Sequence, residues 1–166
     1  MPRTATNPPC PIGRAVDVLG DRWTLLIMRN ATHGTTRFDE FREELGIADN
    51  ILSARLSSLV AAGLLTRVPY RDGGRTRQEY RLTEAGTELA PVLRALADWG
   101  TRHTTPAEPA APMQFLHREC GHHLSRPEVH CDHCRRPVSR EDQLWLRPWR
   151  DSAPYPLAAA VTAEQG

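Results

Sequence analysis

The apolar positions of this chain fall into helical spacing, then into strict alternation, then into helical spacing again, and that order predicts most of the fold. Ile12, Ala15, Val16 and Leu19 recur on one helical face, which Gly20 and Asp21 interrupt. Trp23, Leu26, Ile27 and Asn30 start and extend a second helix that ends near Gly34. Thr36-Arg-Phe-Asp39 reads as a capping-box-like start, with the Thr36 hydroxyl expected to accept an amide hydrogen bond. It leads into a third face of Phe38, Phe41 and Leu45, closed by Gly46. After a tight turn, residues 50–62 carry Leu52, Leu56, Leu59 and Val60 on one side, and Gly63 ends this fourth helix.

At Leu64 the period changes. Residues 64–70 and 76–82 read as two strands joined by Arg71-Asp-Gly-Gly-Arg75, a strong hairpin signal because glycines tolerate positive φ. Thr83 is expected to cap a final long helix with Leu89, Val92, Leu93, Leu96 and Trp99 on one face. Pro91 should kink that helix or mark where its regular part begins. Residues 104–112, TTPAEPAAP, form a Pro- and Ala-rich linker. A Cys/His-rich segment follows at 113–148, and the tail at 151–166 is expected to be disordered. The expected class is α+β: a mainly helical winged helix-turn-helix with a two-stranded wing, plus a small C-terminal zinc-ribbon-like knuckle.

Two short helices with a tight turn between them, followed by a hairpin, suit DNA. With Leu52, Leu56 and Leu59 holding the fourth helix to the core, Asn50, Ser53, Ala54, Ser57 and Ser58 are left facing outward. That face carries no charge, which is unusual for a solvated helix, and its small side chains allow close approach to base edges. Asn50 is placed to read an adenine, and Arg55 flanks the face as a candidate phosphate ligand. At the hairpin tip, Arg71, Arg75 and Arg77 suit the DNA backbone or minor groove.

These segments resemble the HxlR family of winged-helix regulators. The likeness is carried by CPIGRAVDVLGDRWTLLIMRN, RFDEFREELGI, LSARLSSLVAAGLL, YRLTEAG and LAPVLRALADWG, and runs from Cys10 to about His103. It implies a DNA-binding and dimerisation domain over residues 10–103. It also implies a homodimer in which the N-terminal and long C-terminal helices pack across a two-fold axis. The apolar stripe from Leu89 to Trp99 supports that dimer independently, being richer than a lone outer helix needs. Two departures from the family pattern stand out. Ala48 replaces the usual capping Ser, leaving Asp49 as the candidate cap, and the long polar side chains common around Ala54 and Ser57 are missing. Family members often carry a Cys like Cys10, in some of them as a sensor of oxidants or electrophiles. Cys10 precedes a helix N-terminus and Arg14, both of which favour a reactive thiolate, although a small buried hydrophobe is the commoner role for Cys.

Composition refines this picture. Net charge is only +1, yet all 21 basic side chains are Arg, and five of them lie between Arg67 and Arg81 against two acids, Asp72 and Glu79. Three of the four Cys sit in the last third, a pattern that favours metal binding over a disulfide framework. His117-x-x-Cys120-Gly121 and Cys131-x-x-Cys134 are paired at the spacing that lets two side chains converge on one zinc ion, Zn2+. His122, His123, His130 and His133 are alternatives for the histidine ligand. Phe115, Leu116, Val129, Val138, Leu144 and Trp145 could supply only a miniature core, so a unit this small needs a staple.

The expected protein is a cytoplasmic, sequence-specific transcriptional regulator bound to double-stranded DNA as a homodimer, acting as a repressor and open to redox or ligand control. Nothing in the sequence identifies an effector. The alternative is a winged-helix protein-interaction module with a zinc-stapled docking element. No paired carboxylates, nucleophile elbow or phosphate loop suggest an enzyme, and no run of apolar residues is long enough to span a membrane.

Overall fold

The computed structural model describes residues 9–107, 109–124 and 130–161. Val129, assigned above to the miniature core, lies outside them, as do residues 162–166 of the tail. The chain forms two compact units, residues 1–87 with 160–166 and residues 88–159.

The first unit opens with α1 (Pro11–Leu19), α2 (Arg22–Thr32), α3 (Phe38–Leu45) and α4 (Asp49–Ala61). Strands β1 (Leu65–Asp72) and β2 (Arg75–Leu82) and the short helix α5 (Glu84–Thr87) complete it. Ile27, Met28, Phe41, Leu52, Leu56, Leu59, Leu65 and Leu82 are almost fully buried and form the core. Truncating any one of the buried Leu to Ala would cost roughly 2–5 kcal/mol. A polar clasp joins α2 to α3: the buried Asn30 donates to Glu44 at 2.7 Å and accepts from Arg29. The Thr35 hydroxyl donates to the same carboxylate at 3.1 Å.

Several caps differ from expectation. Arg37, not Thr36, is the N-cap of α3, and the carboxylate of Glu40 reaches back to accept from the amides of Arg37 (3.1 Å) and Thr36 (3.3 Å). The Thr36 hydroxyl is occupied elsewhere, donating to Glu79 on β2 at 3.1 Å, while the Tyr80 amide donates to the Thr36 carbonyl. Helix α4 is capped by Ala48 without a side-chain bond, and Asp49 is its first residue rather than its cap. There a carboxylate still favours the positive end of the helix dipole.

Strands β1 and β2 pair antiparallel from Leu65↔Leu82 to Asp72↔Arg75, so the loop is the two residues Gly73 and Gly74. Both have positive φ, 53° and 83°, as a type I′ turn requires. Thr83 caps only α5: its hydroxyl accepts from the Gly86 amide at 3.1 Å and donates to the Gly63 carbonyl at 2.6 Å. A Cβ on Gly86 would lie 2.1 Å from the Leu64 carbonyl oxygen, so the Leu-Thr-Glu-x-Gly step has room only for glycine there. The expected long helix is therefore interrupted, and its regular part begins afresh next to Pro91.

The second unit contains α6 (Ala90–His103), β3 (Gln114–His117), β4 (Gln143–Leu146) and β5 (Tyr155–Pro156). The three strands form one antiparallel sheet in the order β3-β4-β5. Part of the segment expected to be disordered thus adds a strand, because the free edge of β4 offers it a hydrogen-bonding ladder. Phe115 and Trp145, paired across β3 and β4, are buried with their rings edge to face at 5.2 Å.

Candidate nucleic-acid interface and metal centre

Helix α4 turns one face inward through Leu52, Leu56 and Leu59, a spacing that leaves Asn50, Ser53, Ala54, Ser57 and Ser58 exposed. Ile51 is also partly exposed, an apolar element that the sequence reading overlooked. Arg55 is only half exposed and points elsewhere. Its Nη2 lies 3.0 Å from Asp21 Oδ2, while the other oxygen of Asp21 caps α2 by accepting from the Trp23 and Thr24 amides. This places Arg55 as a strut between α4 and the start of α2.

The wing carries Arg71, Arg75 and Arg77 exposed. They are not equivalent, since Arg77 lies 3.5 Å from Asp39 of α3 and 3.6 Å from Asp72. Arg42 bridges from Asp39 to Asp49 at the start of α4, so alternating charges run from the wing to the N-terminus of α4. At the wing's base, Arg67 on β1 donates to Ser57 Oγ at 3.2 Å, which puts a guanidinium on the otherwise uncharged face of α4. Arg67 belonged to the arginine cluster read from the sequence, but only the strand register brings it to α4.

Cys10 is the N-cap of α1 itself. Its sulfur accepts from the Gly13 amide at 3.5 Å, and Arg14 donates to the Pro9 carbonyl beside it.

His117, Cys120, Cys131 and Cys134 converge so that one ligand atom from each lies within 4.8 Å of every other. His117 Nδ1 is 3.2 Å from Cys120 Sγ and 3.3 Å from Cys134 Sγ, and the sulfurs of Cys120 and Cys131 are 3.7 Å apart. Ligands around tetrahedral zinc are separated by about 3.8 Å for two sulfurs and about 3.5 Å for sulfur and nitrogen, given bonds near ~2.3 and ~2.0 Å. These three separations are close to those of a tetrahedral site. His122 and His133 instead stack on each other with ring centroids 4.6 Å apart, and His123 and His130 sit at bridge positions outside the cluster.

The two ligand pairs are built alike. The first ligand's amide donates to the carbonyl five residues on, His117 to His122 and Cys131 to Arg136. The residue after the second ligand closes the turn, Gly121 onto His117 and Arg135 onto Cys131, both at 2.8 Å and both with positive φ (67° and 61°). Bridges Leu116↔His123 and His130↔Pro137 flank the turns at equivalent positions. Amides aimed at the sulfurs tune the thiols. Those of Cys134 and His133 hold Cys131 below the ordinary thiol range against the effect of burial. Cys134 is raised, because burial and the neighbouring Cys120 and Cys131 outweigh the lowering by the Arg136 amide. A divalent cation would displace the remaining thiol protons and relieve that crowding. This His/Cys cluster is able to coordinate a metal ion.

Comparison with known proteins accounts for the first unit and reaches beyond it. The family model for the HxlR-like helix-turn-helix matches residues 18–108. The chain is 41% identical over 128 residues to the HTH-type transcriptional regulator Rv3095 of Mycobacterium tuberculosis, covering 77% of this chain and 79% of the relative. Among solved structures, PA1607, assigned as a transcription factor, is 40% identical with a TM-score of 0.63 and covers 86% of this chain and 95% of its own. Both matches are too long to stop at residue 108, so they necessarily run into the Cys/His-rich part of the chain. The redox regulator HypR in its reduced form is 31% identical with a TM-score of 0.52, covering 56% of this chain and 92% of its own. The chain therefore belongs to the HxlR-like helix-turn-helix family of DNA-binding transcriptional regulators.

Proposed function

We propose that the chain acts as a homodimeric repressor, α4 reading base edges in the major groove while the wing grips the backbone alongside. The observation that carries this reading is the pairing of an exposed, uncharged face on α4 with exposed arginines on the adjoining β1–β2 hairpin. Asn50, Ser53, Ala54 and Ser57 take the base-reading role, and Arg71, Arg75 and Arg77 the phosphates. Arg55 assists from behind by bracing α4 on Asp21. Helices α1 and α6 each present an apolar surface to a second copy, Ile12 and Val16 on the first and Val92, Leu96 and Trp99 on the second. Two copies would then occupy half-sites about one helical turn apart. Genomic fragments selected by the purified protein test this reading: a shared inverted repeat supports it, and uniform binding to all fragments overturns it.

Zinc is the ion that fits the donor set. Three thiols and one imidazole in closed tetrahedral array suit a structural zinc rather than a catalytic one, which keeps a position open. The segment then folds as a zinc-ribbon-like unit. Redox control is the further part of the reading, prompted by the likeness to HypR and by the place of Cys10 at a helix N-terminus. Diamide or peroxide should weaken operator binding by the wild type and leave Cys10→Ser unaffected. The same response in both proteins would exclude Cys10.

A further inference from the structure

Helix α6 buries a guanidinium. Arg94 is 2% exposed, and a side chain that stays charged at every physiological pH needs acceptors around it when buried. Its Nη2 donates to the main-chain carbonyl of Leu124, and its Nη1 lies 3.5 Å from Gln143 Oε1. The guanidinium carbon is 4.7 Å from the centroid of the Phe115 ring. All three groups belong to the framework of the metal ligands. Phe115 lies on β3 two residues before His117, Gln143 is the cross-strand partner of His117, and Leu124 ends the loop that contains Cys120.

That loop is a strap folded back on β3. The His117 amide donates to the His122 carbonyl at 2.9 Å, and the Leu124 amide donates to the Phe115 carbonyl at 2.7 Å. Residue 124 is thus where the first knuckle, the sheet and α6 meet. Its side chain is buried and its carbonyl serves Arg94. The apolar interior of this unit is small: Ala90, Leu93, Phe115, Leu124, Cys131 and Trp145 are its buried apolar members among the described residues. An interior of that size does not fix a loop by itself, so the position of the Leu124 carbonyl depends on Cys120 being held.

We infer that the metal centre controls α6: a bound divalent cation fixes the strap, the strap holds Arg94, and Arg94 fixes the helix. The regulator is therefore metal-responsive. Losing the ion frees the strap, strips the buried guanidinium of its main-chain acceptor and releases the helix that bears Val92, Leu96 and Trp99. The step from α6 to DNA rests on the dimer reading above, whereas the step from metal to α6 does not.

The test uses the full chain with zinc as the probe, in a reducing buffer. Zinc content is measured first, and about one ion per chain is expected; none would overturn the inference together with the zinc reading. Hydrogen exchange then compares zinc-loaded, chelator-stripped and zinc-restored protein. Amides of 90–103 should exchange at least tenfold faster after stripping and recover with zinc, while α2–α4 stay protected. Protection of 90–103 that persists while 114–124 opens would overturn the proposal. Arg94→Gln keeps every ligand, so it should still bind one zinc while its helix exchanges fast with or without the ion. Zinc-dependent protection like that of the wild type in this variant would remove Arg94 from the chain of contacts. Sedimentation of the zinc-loaded protein settles the dimer reading separately. If it is a dimer, DNA affinity should fall at least tenfold on stripping.

Discussion

Two residues in equivalent places carry different costs. Gly121 and Arg135 each follow the second ligand of a knuckle, and both adopt a left-handed backbone, φ 67° and 61°. Glycine takes that conformation freely, whereas a residue with a Cβ loses roughly 1 kcal/mol or more. Arg135→Gly should therefore stabilise the second unit by up to about 1 kcal/mol, and Gly121→Ala should destabilise it by a similar amount. Thermal unfolding of the zinc-loaded chain, followed through Trp145, checks both. Equal effects from the two substitutions would mean that the knuckle turns are not the equivalent structures their hydrogen bonds describe. The asymmetry was invisible in the sequence, where a Gly after Cys120 signals a turn but an Arg after Cys134 signals nothing.

At the scale of elements, the proposed DNA interface divides between a helix that would choose sequence and a wing that would supply affinity. Replacing Arg71 and Arg75 with Ala should weaken binding to every DNA and flatten the dependence of log K on log salt by about 0.9 per lost phosphate contact. Arg77→Ala should do less, because Asp39 and Asp72 already hold that guanidinium in the free protein. Asn50→Ala should instead alter the ranking of sequences at an unchanged salt slope. Gel shifts over a range of salt concentrations separate the two behaviours, and an unaltered slope in the double variant would remove the wing from the interface. Helices α1 to α4 and the hairpin were legible because local signals agreed: apolar residues at helical spacing, glycine after the helices, Asp-Gly-Gly between alternating runs. The caps of α3 and α4 were not: the Thr36 hydroxyl is taken by Glu79 on β2, far off in sequence, and Asp49 begins α4 and pairs with Arg42 of α3. The ion pair of Arg55 was equally hidden. Its partner Asp21 is distant along the chain, so only the fold brings the two together. The candidate cluster was legible from the spacing of its Cys and His pairs, but which histidine joins it was not: the fold sets His117 Nδ1 beside the sulfurs of Cys120 and Cys134.

At the scale of the molecule, the apolar surfaces left open on α1 and α6 must be accounted for. Ile12 is 73% exposed and Trp99 56% exposed, with Val16, Val92 and Leu96 nearly half open. Isolated exposed apolar residues are ordinary, but successive ones along one helical face mark an interaction surface. A second copy is the economical partner, because symmetry then covers both helices of both chains. Leu96→Glu introduces a carboxylate at the middle of the α6 face while keeping the buried Leu93 and Arg94. The variant should keep its zinc and its fold, as judged by metal content and circular dichroism, yet sediment as a monomer at concentrations where the wild type is a dimer. Its affinity for an inverted-repeat operator should drop by at least a hundredfold, while binding to a single half-site should hardly change, since α4 and the wing lie in the first unit. A variant that stayed dimeric would place the two-fold elsewhere and leave the exposed stripe of α6 for another partner.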